Sequence, residues 1–231
     1  MDLNADLGEE VTDDDGLLQV VTSANVACGY HAGTSEIMRR VCAGAAARGV
    51  RVGAQVSYDD REGFGRRPVD VAPDVLAQQV ADQVGVLGGI ARSEGAALTY
   101  VKPHGALYNR VVDDEQQAAA VLDGSGDLPV LGLPGGALLR LAAQRGRSVH
   151  TEAFPDRAYE PPDDRGVSRL VPRDRPGAVL SEPTEIARQA VVLARDVDSV
   201  CVHGDGDAAV AAAQAVRRAL TEAGLRIEAF T

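Results

Sequence analysis

Short runs of alternating apolar and polar residues are separated along most of the chain by longer runs with helical periodicity. The first, residues 1–7, sends Leu3, Ala5 and Leu7 to one side and Asp2, Asn4 and Asp6 to the other, the pattern of a strand. Polar groups on one strand face are costly in a core unless paired or bound, so this run fits either a water-facing edge strand or a site. Residues 17–21 and then 22–33 carry the second strand, with Asn25 and, near its end, His31 on one side. Thr34 or Ser35 caps a helix in which Ile37, Met38, Val41, Cys42 and Ala45 recur at helical spacing, and Gly49 closes it. Residues 50–56 form the third strand and lead into a charged, glycine-rich loop over 57–67. Pro73 opens a long helix that ends near Gly95.

The fourth strand, 97–103, aligns Tyr100 and Lys102 with His104 just beyond it. A short helix over 115–122, a fifth strand over 128–133 and a helix over 136–144 follow. The sixth strand, 148–154, places His150, Glu152 and Phe154 on one face, and the Pro- and Asp-rich segment 161–177 reads as a surface excursion. A helix over 183–196, a seventh strand over 199–205 bearing Cys201, His203 and Asp205, and a helix over 207–223 complete the pattern.

Strands alternating with helices predict a parallel sheet with helical crossovers. Polar motifs close at least six of the strands or begin the loops after them. In a closed barrel those ends share one mouth, whereas in an open doubly wound sheet only the ends near a switch point meet. The expected fold is therefore a seven-stranded (β/α) barrel, a single domain over residues 1–231. Its mouth would gather Asp6, Asn25, His31, Lys102, His104, Glu152, His203 and Asp205. Lys102 is the only lysine beside 22 arginines, which suggests a position where a compact ammonium is wanted.

Composition narrows the chemistry. A net charge of −11 argues against nucleic acid or an anionic membrane as partner, and 3% aromatics with no tryptophan leaves few stacking platforms. All five tyrosines lie in or beside the polar motifs, which suggests hydroxyls at a site. Three cysteines without a C-x-x-C pair give no disulfide framework, and neither a basic–apolar leader nor an apolar run near 18 residues is visible, so a cytoplasmic location is expected. No phosphate-binding G-x-x-x-x-G-K-[ST] loop and no G-x-S-x-G elbow occurs. Asp6, His31 and His104 offer ligands suited to a divalent metal, but no spacing specifies one.

Six stretches carry a resemblance: DLNADLGE at 2–9, SANVACGYHAG at 23–33, GFGRR at 63–67, VKPHGALYN at 101–109, DRAY at 156–159 and CVHGD at 201–205. In order and over nearly the whole chain they resemble the LamB/YcsF family, the A subunit of bacterial ATP-dependent 5-oxoprolinase. The resemblance implies a distorted TIM-like barrel related to polysaccharide-deacetylase-like folds. It also implies cleavage of 5-oxoproline to L-glutamate with ATP as co-substrate, in a complex with separate B and C subunits. Partners that handle ATP would account for the missing phosphate loop.

On this reading Asp6, His31, Lys102 and His104 are the catalytic candidates. His104, or Asp6 with His31, would deprotonate water, and Lys102 would stabilise a phosphate or oxyanion. The candidates for substrate binding are Asn4, Asn25, Tyr58, Arg66, Tyr108, Asn109, Glu152, Arg157, His203 and Asp205. Two departures stand out. GAQVSY at 53–58 replaces the family's GAHPSY, so Gln55 stands where a histidine is usual, and Gln is a poor metal ligand and no general base. The chain is also shorter than the family after Asn109 and before Ser199. Two other readings remain open: a metal-dependent amidase or deacetylase acting alone on another lactam or N-acyl substrate, and a non-catalytic subunit that binds 5-oxoproline.

Overall fold

Seven strands, each parallel to its neighbours, close into a barrel in sequence order. The computed structural model describes residues 1–11, 13–204 and 208–230. The strands are β1 (Asp2–Leu7), β2 (Ser23–Ala27), β3 (Arg51–Val56), β4 (Leu98–Pro103), β5 (Val130–Gly132), β6 (Val149–Ala153) and β7 (Ser199–Val202). Around them lie α1 (Asp14–Leu18), α2 (Ser35–Arg48), α3 (Pro73–Ser93), α4 (Gly105–Arg110), α5 (Glu115–Gly124), α6 (Ala137–Gln144), α7 (Pro183–Leu193) and α8 (Ala209–Glu222). No described helix is long and apolar enough to cross a membrane.

The alternation in β1 is resolved by its neighbours: it pairs with β2 on one side and β7 on the other, so it is not an edge strand. Leu3, Ala5 and Leu7 join Val26, Val52, Ala54, Val101 and Val200 in the apolar layer beneath the helices. Asp2, Asn4 and Asp6 are buried nonetheless, because they share hydrogen bonds with polar residues of neighbouring strands. The barrel thus keeps its oil outside the sheet and a polar network within. Gly53 makes room for this network, since a Cβ there would come within 2.2 Å of the Tyr100 ring.

Local signals place the crossovers as the sequence suggests. The Thr34 hydroxyl accepts from the Ile37 N–H at 3.2 Å, and Gly49 ends α2 at φ 68°. Pro73 opens α3. Three expectations need correction. Leu17 and Leu18 belong to α1, and β2 stops at Ala27, so His31 sits in the following loop rather than on the strand. Helix α4, only six residues long and glycine-led, follows β4 directly and gave no periodic signal. The segment 161–177 is no mere excursion: bridges pair Tyr159 with Leu170 and Arg157 with Val179, and Val167 is buried against Tyr108, Val112, Leu133 and Phe154. It folds over one rim of the mouth. At the other end of the barrel Phe230 stacks on His150 at 4.2 Å and meets Tyr100 edge-on at 5.1 Å, closing the bottom.

Candidate functional site

The polar interior climbs from Asp2 toward the mouth. Asp2 accepts from Thr22 and Ser23 at 2.6 and 2.7 Å and from Ser199. Asn4 donates to Ser199 at 2.6 Å, Asn25 donates to Asn4 and Asp6 at 2.7 and 2.9 Å, and Tyr100 donates to Asn25 at 2.6 Å. Every polar atom of the Asn25 side chain is therefore engaged inside the protein.

Above this network stands Lys102. Its ammonium lies 3.1 Å from Asp6 Oδ1, 3.2 Å from Glu152 Oε2 and 3.1 Å from Cys201 Sγ. Burial opposes its charge, but Asp6, Cys201 and Glu152 outweigh that and raise its pKa well above the ordinary lysine value. Burial likewise opposes the Asp6 carboxylate, yet Lys102, His203 and His104 hold it well below the usual range. Glu152 goes the other way: burial raises it, and Lys102 only partly compensates. One ammonium cannot fully neutralise two buried carboxylates.

A second group crosses the mouth from other strand ends. The loop after β3 is pinned by Asp60, which accepts from the Gly63 and Arg67 N–H groups at 3.0 and 3.1 Å and pairs with the Arg67 guanidinium. The turn carries Phe64 at φ 55°, a left-handed conformation costly for a bulky residue. It presents the Phe64 carbonyl to His104 Nε2 at 3.1 Å. Gly65 follows at φ 66°, and a Cβ there would come within 2.9 Å of the His31 Cβ. His31 and His104 stack at 4.1 Å. Between them and the sheet lie Gln55, whose Nε2 donates to Glu9 at 3.0 Å and contacts His104 Nδ1 at 2.9 Å, and Glu9, whose Oε1 is 3.6 Å from His31 Nε2. Burial, then the neighbouring His31 ring, hold His104 well below the ordinary histidine pKa, so it is neutral near pH 7. Burial raises the Glu9 carboxyl.

The third part is His203, whose Nδ1 lies 2.7 Å from Asp156 Oδ2 and whose ring stacks on Phe154 at 5.0 Å. A carboxylate accepts only, so Nδ1 carries the proton and the lone pair falls on Nε2. Lys102, His104 and His203 line a cavity of about 570 Å³, roofed by residues 169–174. Arg66, Arg157, Arg169 and Arg173 stand around it with Asp174, and Arg169 is paired with Asp113 and Asp163. Burial and the nearby Arg173 lower the Arg157 pKa to about 10.

Of the residues the sequence singled out, Asp6, Arg66, Lys102, His104, Tyr108, Asn109, Arg157 and His203 line this cavity. Glu152 lies beneath it against Lys102, and His31 lies behind His104. Asn4 and Asn25 do not reach it, being tied into the network below. Tyr58 points away, its hydroxyl donating to Gln117 of α5 at 3.0 Å. Asp205 lies outside the described residues. His31 bonds Ser57 at 2.9 Å and faces Glu9 rather than Asp6. Sequence reasoning missed Glu9, Asp156 and the Cys201 contact. Glu9 and Asp156 stood in the quoted motifs but outside any strand alternation, and Cys201 is an apolar residue type whose contact with Lys102 only folding creates.

The LamB/YcsF family matches residues 1–231. The A subunit of 5-oxoprolinase from Streptomyces griseus is 52% identical, with 100% of this chain and 99% of that protein covered. A protein of the same name from Mycobacterium avium is 50% identical, with 100% and 98% covered. Both alignments span 253 residues, more than the 231 of this chain, in keeping with its expected shortness. Among solved structures, a lactam utilization protein from Thermus thermophilus superposes with a TM-score of 0.89 at 35% identity, over 100% of this chain and 99% of that one. A family 4 carbohydrate esterase from Streptomyces lividans, 10% identical, shares the fold at a TM-score of 0.55, with 100% and 92% covered.

Proposed function

Since this chain belongs to the LamB/YcsF family, we propose that it is the lactam-opening subunit of an ATP-dependent 5-oxoprolinase. It would convert 5-oxo-L-proline to L-glutamate with ATP as co-substrate, together with separate B and C subunits. The observation that carries this reading is the convergence of a buried ammonium, a carboxylate-backed imidazole and an arginine rim on one cavity.

A γ-lactam is a poor electrophile, and its amide nitrogen a poor leaving group. Attack of the lactam oxygen on the γ-phosphorus of ATP releases ADP and leaves an O-phosphorylated imidate. Water then adds to the imidate carbon, giving up a proton. Collapse of the adduct breaks the ring C–N bond, the nitrogen takes a proton, and the resulting acyl phosphate is hydrolysed by a second water to glutamate and phosphate. His203, with Asp156 holding its tautomer, is the base that takes the water proton through Nε2. It replaces His104, whose two nitrogens are occupied by Gln55 and the Phe64 carbonyl. Lys102 stabilises the phosphoryl oxygens or the developing oxyanion from the cavity floor. The rim arginines hold the substrate carboxylate.

Glutamate release from 5-oxoproline, assayed with and without ATP and the B and C subunits, tests this. Release that needs all of them supports it. Release by this chain alone without ATP would overturn it in favour of an autonomous amidase, and 5-oxoproline binding without turnover in the full mixture would leave a binding subunit.

A further inference from the structure

Glu9, His31 and His104 are not explained by the reaction proposed above. All three are buried, and their hydrogen bonds fix where their lone pairs point. Ser57 gives its one hydroxyl proton to the Tyr58 carbonyl at 2.9 Å, so it accepts from His31 Nδ1–H, also at 2.9 Å. That leaves the lone pair on His31 Nε2, which has no hydrogen-bond partner among the described residues. The Phe64 carbonyl takes the proton of His104 Nε2, so the His104 lone pair is on Nδ1. Both lone pairs face Glu9 Oε1, at 3.6 Å from His31 and 3.5 Å from His104.

Three acceptors thus converge where all three side chains are buried. Gln55 Nε2 serves two of them, Glu9 and His104, while His31 Nε2 and Gln55 Oε1 are left bare. Acceptors brought together out of water need a cation or a proton between them. We propose that Glu9, His31 and His104 bind one divalent transition-metal ion of the zinc class. Around a tetrahedral ion with bonds of about 2.0–2.2 Å, neighbouring ligand atoms stand about 3.4 Å apart. The two Glu9 separations meet this, and all three donor atoms lie within 4.8 Å of one another. Each imidazole also has its second nitrogen held by an oxygen, as metal-ligating histidines do.

Two nitrogens and one carboxylate favour zinc-class ions over calcium or magnesium. The carboxylate is Glu9 and not the Asp6 suggested by the sequence. Asp6 Oδ1 is held by Lys102 and Asn25, and an ammonium 3.1 Å away repels a second cation. The rings are stacked with planes 13° apart, and an ion between the three donors would take the place of the Gln55 N–H at Glu9 and His104.

Zinc titration of the full chain after chelator treatment, read by calorimetry and by metal content after gel filtration, tests the site without reference to turnover. One equivalent is expected, and Co²⁺ in its place gives a visible tetrahedral d–d band. Glu9→Gln and His31→Gln each weaken binding by about 10- to 100-fold and abolish the band. His150→Gln, at the far end of the barrel, changes neither. Gln55→His adds a nitrogen donor and tightens binding about tenfold or more, a gain that no folding defect can imitate. Wild-type protein that retains well under one equivalent would overturn the proposal. So would zinc affinity within twofold of wild type in Glu9→Gln and His31→Gln proteins that melt normally, or a Gln55→His protein that binds no tighter.

Discussion

Lys102 Nζ lies 3.1 Å from Asp6 Oδ1, and both side chains are shut off from solvent. Removing one charge of such a pair strands the other in a low-dielectric interior, at a cost of about 3–5 kcal/mol. Lys102→Met is therefore expected to lose about that much stability in urea unfolding. Lys102→Met with Asp6→Asn should recover more than half of the loss, while glutamate release stays absent in both. Equal instability of the single and double variants would show that the pair is not the unit the geometry implies.

His203 and Asp156 make a separable prediction. Asp156→Asn offers an amide that can donate to Nδ1 and so favours the wrong tautomer, with the lone pair turned from Nε2. Glutamate release in the reconstituted reaction should fall by about 10²- to 10⁴-fold, with the melting temperature nearly unchanged. His203→Gln should fall as far, and the double variant no further. Additive losses would mean that the two residues act independently.

Much of this was legible in the chain. The alternation of Asp2, Asn4 and Asp6 against Leu3, Ala5 and Leu7 marked a strand with two different faces, and the caps at Thr34, Gly49 and Pro73 fixed crossover ends. What alternation could not say was which face looked inward. It implies apolar residues inside, and this barrel inverts that, because polar residues on five strands satisfy one another across the closed sheet. For that reason Asn4 and Asn25, substrate-binding candidates in the sequence, are tied into the network beneath the cavity. Tyr58 lies in the loop beyond β3, where alternation gives no direction, and its hydroxyl reaches Gln117 of α5. Glu9 and Asp156 sit on loops beyond strand ends, where no periodicity constrains direction. Their positions depend on pairings 22 to 95 residues away, Glu9 with His31 and His104 and Asp156 with His203.

Gly53 tests the inverted interior directly. Its Cβ would come within 2.2 Å of the Tyr100 ring, which reaches over Gly53 on the intervening strand to donate its hydroxyl proton to Asn25. Gly53→Ala should lower stability by about 1–3 kcal/mol by overpacking. Adding Tyr100→Leu should relieve the clash and return part of the loss, even though Tyr100→Leu alone destabilises. The measurement is a double-mutant cycle in urea, with a coupling of at least about 1 kcal/mol expected. Additivity would mean that the barrel widens to take the extra methyl.

His150 links the bottom of the barrel to acid sensitivity. It stacks on Phe230, and its Nε2 is buried without a hydrogen-bond partner among the described residues. Burial lowers its pKa below the ordinary histidine value of 6.5, the opposing pull of Asp198 and Asp2 being too weak to reverse this, with Arg51 adding to it. A depressed histidine stays neutral in the fold while the unfolded chain takes up a proton. Its contribution is thus complete above about pH 6.5 and is lost as pH falls below that. Between pH 7.5 and 5.5 the melting temperature of the wild type should drop further than that of His150→Gln, which has nothing to titrate there, by about 2 °C. Phe230→Ala should narrow the same gap, because opening the bottom of the barrel lets water reach the ring and restores an ordinary pKa. If His150→Gln and wild type instead lose stability in parallel, the acid sensitivity lies elsewhere and His150 is already solvated in the folded protein.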